Sequence, residues 1–197
     1  MRAERRQREP RSATRAALEL SPVRIGISAC LLGEEVRFDG GHKLDTFLTD
    51  ILGPLVQWVP VCPEVEVGMG TPREPLRLHR SGKDLRMITV RTGHDYTEAM
   101  NQWADMRLRE LAGEDLCGYV LKSDSPSCGM EGVKVYDEAG VPERSGRGLF
   151  AQILTQHMPW LPVEEEGRLR DKQLREHFLE RVFALHRLND RGRADRT

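Results

Sequence analysis

The chain has 197 residues, 39% of them hydrophobic and 31% charged, enough for one well-buried domain and too few for two ordinary ones. Its 30 Lys and Arg nearly cancel 31 Asp and Glu, a formal net charge of −1, which excludes a uniformly basic nucleic-acid-coating protein. No apolar run approaches the roughly 18–20 residues of a membrane-spanning helix, and 4 irregularly spaced cysteines are too few for a disulfide scaffold.

Residues 1–22 carry arginines at 2, 5, 6, 8, 11 and 15 among small and polar residues. Arg5-Arg6 has no apolar stretch behind it, because Ala16-Ala17-Leu18 stops at Glu19. The segment therefore reads as a disordered basic arm rather than an export signal, and a cytoplasmic protein with reduced thiols is expected. Strand-like runs follow at 23–28, 56–61, 85–90 (weaker), 119–122 and 132–136. Helical patterns lie between them: 43–52, closed by Gly53-Pro54; 95–111, with Ala99, Trp103, Met106 and Leu111 on one face and Gly113 as a stop; and 148–158, ended by Pro159. This alternation predicts an α/β fold, a single Rossmann-like three-layer domain over residues 23–160 with a mostly parallel sheet.

Residues 161–167 are bounded by Pro and Gly and read as a linker. Beyond them the spacing predicts an amphipathic helix over 171–188, with Asp171 as N-cap and Leu174, Phe178, Val182 and Leu185 as its apolar stripe. This C-terminal helical extension must bury that stripe, either back on the domain or against a further one. Residues 189–197 read as a polar, disordered tail.

Three cysteines occupy equivalent positions. Cys30 follows the first strand, Cys62 ends the second, and Cys128 closes the loop after the fourth. In a parallel sheet the carboxyl ends of strands share one edge, where open α/β folds bind ligands, so these three thiols should meet in one crevice. Cys117 begins its strand, near the opposite edge, and reads as a small core residue. Three convergent thiols suit a [4Fe–4S] cluster with one iron left open, a zinc ion, reduced thiols doing redox or nucleophilic work, or a plainly structural role, and spacing alone does not separate these. Glu64 lies two residues after Cys62, where a carboxylate can move protons to and from a reacting water. Ser125 and Ser127 put hydroxyls beside Cys128. Arg37 and Asp39 either pair with each other or bind substrate, and Arg73 either contacts an anion or fixes its loop. No dinucleotide or triphosphate fingerprint is present.

Four strings, Ile27-Ser28-Ala29-Cys30-Leu31-Leu32-Gly33, Val36-Arg37-Phe38-Asp39-Gly40, Val61-Cys62-Pro63-Glu64-Val65 and Leu121-Lys122-Ser123-Asp124-Ser125-Pro126-Ser127-Cys128-Gly129, together resemble the thiouracil desulfidases over about residues 23–158. The resemblance implies a [4Fe–4S] cluster on Cys30, Cys62 and Cys128, with Glu64 and Ser125 as the catalytic pair and Arg37, Asp39 and Ser127 as candidate substrate contacts. It also implies hydrolytic removal of sulfur from a thiouracil-type substrate, whether free base, nucleoside or thiouridine in tRNA. The C-terminal extension resembles the start of the second domain of a longer subgroup, the tRNA-thiouridine desulfidases. Two rival readings are a metal-stabilised module that binds RNA or a partner without catalysis, and a cysteine persulfide carrier.

Overall fold

The computed structural model describes residues 21–194. All but the last two residues of the expected basic arm, and residues 195–197 of the expected tail, lie outside them. In chain order the strands are β1 (Arg24–Ser28), β2 (Gln57–Val61), β3 (Leu76–Ser81), β4 (Asp84–Thr89), β5 (Gly118–Leu121), β6 (Val133–Tyr136), β7 (Pro142–Gly146) and β8 (Val163–Glu165). The helices are α1 (Pro63–Glu66), α2 (Thr97–Ala112), α3 (Leu149–His157) and α4 (Lys172–Ala194).

β1, β2, β5 and β8 form an all-parallel sheet in the order β2-β1-β5-β8. The inner strands β1 and β5 are buried along most of their length, as strands covered on both faces must be. β2 is an edge strand and carries Pro60, whose missing N–H an edge tolerates. On one face Val59, Val61, Tyr119 and Leu121 pack with α2 and α3. On the other, Ile25, Ile27 and Val120 pack with Leu48, Leu52, Phe178 and Val182. The α/β character, the mostly parallel sheet and the helices on both of its faces are as expected.

A second sheet was not expected. Its order is β4-β3-β6-β7, antiparallel except for the β3/β6 pair. It takes in the runs at 85–90 and 132–136, and it buries Leu78, Met87, Val133 and Val135 in the α2/α3 core. Its two unforeseen strands lack an apolar signal. β3 carries only two leucines among polar residues, and β7 has no large apolar residue and begins with Pro142.

Helix outcomes differ along the chain. The 43–52 helix reduces to a π-helical turn, Phe47–Leu52. α2 buries Met100, Trp103, Ala104, Leu108 and Leu111, while Ala99 and Met106 face solvent, so only Trp103 and Leu111 of the expected face are inward. Within the presumed linker, residues 163–165 instead add β8 to the parallel sheet. α4 packs back on the domain, with Asp171 capping it by accepting the Gln173 and Leu174 N–H groups at 2.8 and 3.0 Å. The approach is close at Gly118, where a Cβ would lie 2.7 Å from Val182. α4 continues to Ala194 and so includes residues 189–194, which the polar sequence had placed in the tail.

Candidate active site

The loops at the carboxyl ends of β1, β2 and β5 border one cavity of about 450 Å³, whose wall includes Cys30, Cys62, Glu64, Cys128, Ser125, Arg37, Lys43, Arg73 and Lys122. That volume suits a small organic ligand. Each cysteine is placed by a short, specific device. Cys30 sits in a 3-10 turn, Ala29–Leu32, which ends at Gly33 with φ 91°, a left-handed conformation that favours glycine. The Cys30 carbonyl accepts the Lys43 N–H at 2.8 Å, which brings the 34–43 loop back over the cavity. Cys62 is the N-cap of α1, and its N–H donates to Glu66 Oε1 at 3.0 Å.

Cys128 is the most enclosed of the three, at 5% exposure. Ser125 Oγ accepts the N–H groups of both Ser127 and Cys128, at 3.2 and 3.1 Å. The first N–H groups of α3 are taken up by carbonyls of this loop, Leu149 on Pro126 and Ala151 on Ser127, each at 3.1 Å. The unsatisfied donors of a helix start therefore anchor the Cys128 turn. Gly148 is essential to that fit, since a Cβ on it would lie 2.5 Å from the Ser127 carbonyl.

Glu64 is gripped at both oxygens. Arg73 donates to Oε2 from Nε and Nη2 at 2.9 and 2.7 Å, and Ser127 Oγ donates to Oε1 at 2.8 Å. Arg73 itself is fixed by the carbonyls of Val36 and Gly70, at 3.0 and 2.9 Å. A forked guanidinium is well suited to holding a carboxylate in one orientation. Of the two options left open for Arg73, the structure supports the second: it fixes its loop, and with it the acid.

All four cysteines are free thiols. Burial pushes the Cys30 thiol up to about 11, with Cys62 raising it further, while the Lys122 and Arg37 charges oppose the shift. Burial likewise raises Cys62. It raises Cys128 well above the usual thiol range, although a hydrogen bond from Ser28 favours its thiolate. Three desolvated thiolates that repel one another need a positive centre to coexist, and a bound metal supplies one. Among the described residues no three His, Cys, Asp or Glu side chains gather as they would around one ion. An iron–sulfur cluster takes each protein ligand on a different metal atom, and three thiols bordering one cavity suit that.

Two expected substrate contacts are not on the cavity wall. Ser127 is completely buried, at 0% exposure, and spends its hydroxyl on Glu64. Asp39 is exposed and pairs with Arg37 at 3.4 Å, so of that pair only Arg37 borders the cavity. Sequence reasoning also missed several residues. Ser28 Oγ accepts the Lys122 N–H at 3.0 Å as well as touching Cys128. Lys43 and Lys122 lie on the wall. Glu165, the last residue of β8, accepts the Met130 N–H at 2.6 Å and Glu166, just after it, the Ser123 N–H at 2.8 Å, bracing both ends of the Cys128 loop. Ser28 and Lys122 were within reach, because both lie inside the quoted strings; the β8 acids carried no such signal.

Comparison with known proteins agrees with this geometry. The chain is 30% identical over 137 residues to the uncharacterized protein YbbK of Bacillus subtilis (strain 168), covering 67% of this chain and 89% of that one. In structure it is similar to the [4Fe-4S]-dependent thiouracil desulfidase TudS, with a TM-score of 0.62, 32% identity, and coverage of 79% of this chain and 98% of that chain. The family model described as 2-thiouracil desulfurase matches residues 25–166, a span that runs from β1 through the acids of β8. The chain therefore belongs to the 2-thiouracil desulfurase family.

Proposed function

We propose that this protein hydrolyses the thiocarbonyl of a thiouracil-type substrate, leaving the corresponding uracil ring and hydrosulfide, on a [4Fe–4S] cluster held by Cys30, Cys62 and Cys128. The observation that carries this reading is the presence of those three thiols and the clamped Glu64 carboxylate on the wall of one cavity. When bound, a cluster with three protein ligands supplies an open, thiophilic Lewis-acid position that can take the thiocarbonyl sulfur and polarise its bond to carbon.

The chain's own residues supply the rest. Glu64 takes a proton from the attacking water, and its fixed orientation under Arg73 and Ser127 directs that water at the ring carbon. Ser125 accepts two backbone N–H groups and keeps its own proton, which it donates to a polar atom of the ring. Arg37, on the rim, meets the ring's outer polar edge, with Asp39 holding its guanidinium. The water oxygen replaces the sulfur, no electrons are gained or lost, and no external donor is needed. Free base, nucleoside and thiouridine in tRNA all present the thiocarbonyl this chemistry requires.

The test is anaerobic reconstitution with iron and sulfide, followed by assay on thiouracil, thiouridine and thiolated tRNA. The oxygen-for-sulfur product (uracil from thiouracil, uridine from thiouridine or tRNA) and hydrosulfide, formed in equal amounts without a reductant, are expected on at least one of these. Protein that carries its full iron and leaves all three untouched contradicts the proposal.

A further inference from the structure

Among the cations on the cavity wall, Lys122 stands apart. Lys43 is exposed, so solvent screens it, and Arg37, with 22% of its side chain exposed, is paired with the exposed Asp39 on the rim. Arg73 and Lys122 are each paired with a carboxylate, but Glu64 lies on the cavity wall beside Arg73, whereas Glu166 does not border the cavity. The Lys122 side chain is only 17% exposed, and its ammonium is held behind the wall at three points: Glu166 Oε1 at 2.5 Å, Ser123 Oγ at 2.9 Å and the Ser123 carbonyl at 3.0 Å. An ammonium has three protons to donate, and these contacts occupy all of them. Lys122 has no donor left with which to grip a substrate, and what it adds to the cavity is charge.

The ion pair is also oriented. Lys122 borders the cavity together with Cys30 and Cys128. Glu166 lies behind it and borders a separate surface hollow beside Leu44, Asp45 and Arg170. The positive end therefore faces the thiols and the negative end faces away. The Lys122 backbone is tied to Ser28 Oγ, the hydroxyl that also contacts Cys128, so its position and that of the deepest thiol are set together. A buried charge pair survives only when its geometry is fully satisfied, and here Ser123 closes the circuit by donating to Glu166 from both its N–H and its hydroxyl, each at 2.8 Å.

We infer that Lys122 is the counter-charge of the three-thiolate centre, and that Glu166, immediately after β8, is the positioning residue that aims it and moderates its strength. The inference rests on the cluster reading above. Three thiolates and an incoming sulfur carry more negative charge than an oxidised cluster core offsets, and a fixed cation in a low-dielectric wall offsets part of the excess. Net charge around an iron–sulfur centre sets its reduction potential, so the pair can be read by a measurement that does not depend on turnover.

The experiment measures iron content and midpoint potential, by spectroelectrochemistry, of anaerobically reconstituted wild type, Lys122→Gln, Lys122→Arg and Glu166→Gln. All four are expected to load iron, since the cysteines are intact. Lys122→Gln should shift the potential negative, Lys122→Arg should restore most of that shift, and Glu166→Gln should shift it positive. Opposite signs from the two partners are a result that a purely structural ion pair would not give. Variants that load iron and keep the wild-type potential overturn this inference and leave the cluster reading standing. Variants that lose iron together overturn it too, by making the pair a structural brace. Wild type that takes up no iron overturns both.

Discussion

Cys117 and Cys128 bracket the same strand, β5, and are almost equally buried, at 1% and 5% exposure, yet they sit at opposite edges of the parallel sheet. At the amino edge, the Cys117 thiol donates to the Asp115 carbonyl at 3.5 Å, lies 3.8 Å from His186 Nδ1, and is approached by Asn189 Nδ2 at 4.0 Å. These contacts come from the residue two positions before it and from α4. At the carboxyl edge, Cys128 borders a cavity, shares it with two more thiols, and is held by a turn that α3 anchors. Burial and residue type are common to both. What separates a core cysteine from a candidate ligand is convergence, which the parallel topology produces at only one edge.

The sharpest way to break this contrast is to remove each sulfur in turn. Cys128→Ser should abolish iron binding and desulfuration, whereas Cys117→Ser should retain both and lose about 1–2 kcal/mol of stability; iron analysis and chemical denaturation report the two outcomes. Next in size, Glu64→Gln should lower kcat by about 10²–10⁴-fold while leaving the iron content and visible spectrum unchanged, measured side by side on reconstituted protein.

Stability separates the two edges in the other direction. Phe178→Ala, on the buried face of α4, should cost about 3–5 kcal/mol with the activity per bound cluster preserved. Gly148→Ala should cost about 1–3 kcal/mol through overpacking, but because the added Cβ meets the Ser127 backbone it should also reduce iron loading. Denaturation midpoints set against iron content distinguish these two patterns.

The smallest effect is a pH dependence of the metal-free protein. The folded chain holds the Cys30 proton more tightly than the ordinary value of 9.0, up to about 11. The stabilisation linked to that proton is fully present below about pH 9 and fades as pH rises through the folded value. Metal-free wild type should therefore lose Tm between pH 9 and 11 more steeply than Cys30→Ala does.

The same contrast shows how far the sequence could be read. Cys30, Cys62 and Cys128 were legible because each follows an apolar strand, and strand ends in a parallel sheet are predictable neighbours. Glu64 was legible through its distance from Cys62. Its clamp was not: Arg73 reaches back across a loop, and Ser127 turns inward because Ser125 has already tied the two N–H groups that shape the Cys128 turn. The second sheet was hidden for a different reason. Its edge strand β7 is polar, and β3 gains its place by pairing with β4 and β6 and not from any run of apolar residues. β8 is three residues long and mostly acidic, so it resembled a linker until Glu165 and Glu166 found backbone and lysine partners in the Cys128 loop. α4 followed its periodicity through Leu185, then extended into a polar segment in which Asp190 pairs with His186 one turn back.

The central claim is that three thiols hold an iron–sulfur centre with one position open to substrate beside Glu64. Mössbauer spectroscopy of 57Fe-reconstituted protein, with and without thiouracil, addresses it directly. The account predicts that about a quarter of the iron signal changes on adding thiouracil while the remainder stays fixed. A spectrum in which every iron is equivalent and none responds to thiouracil contradicts it.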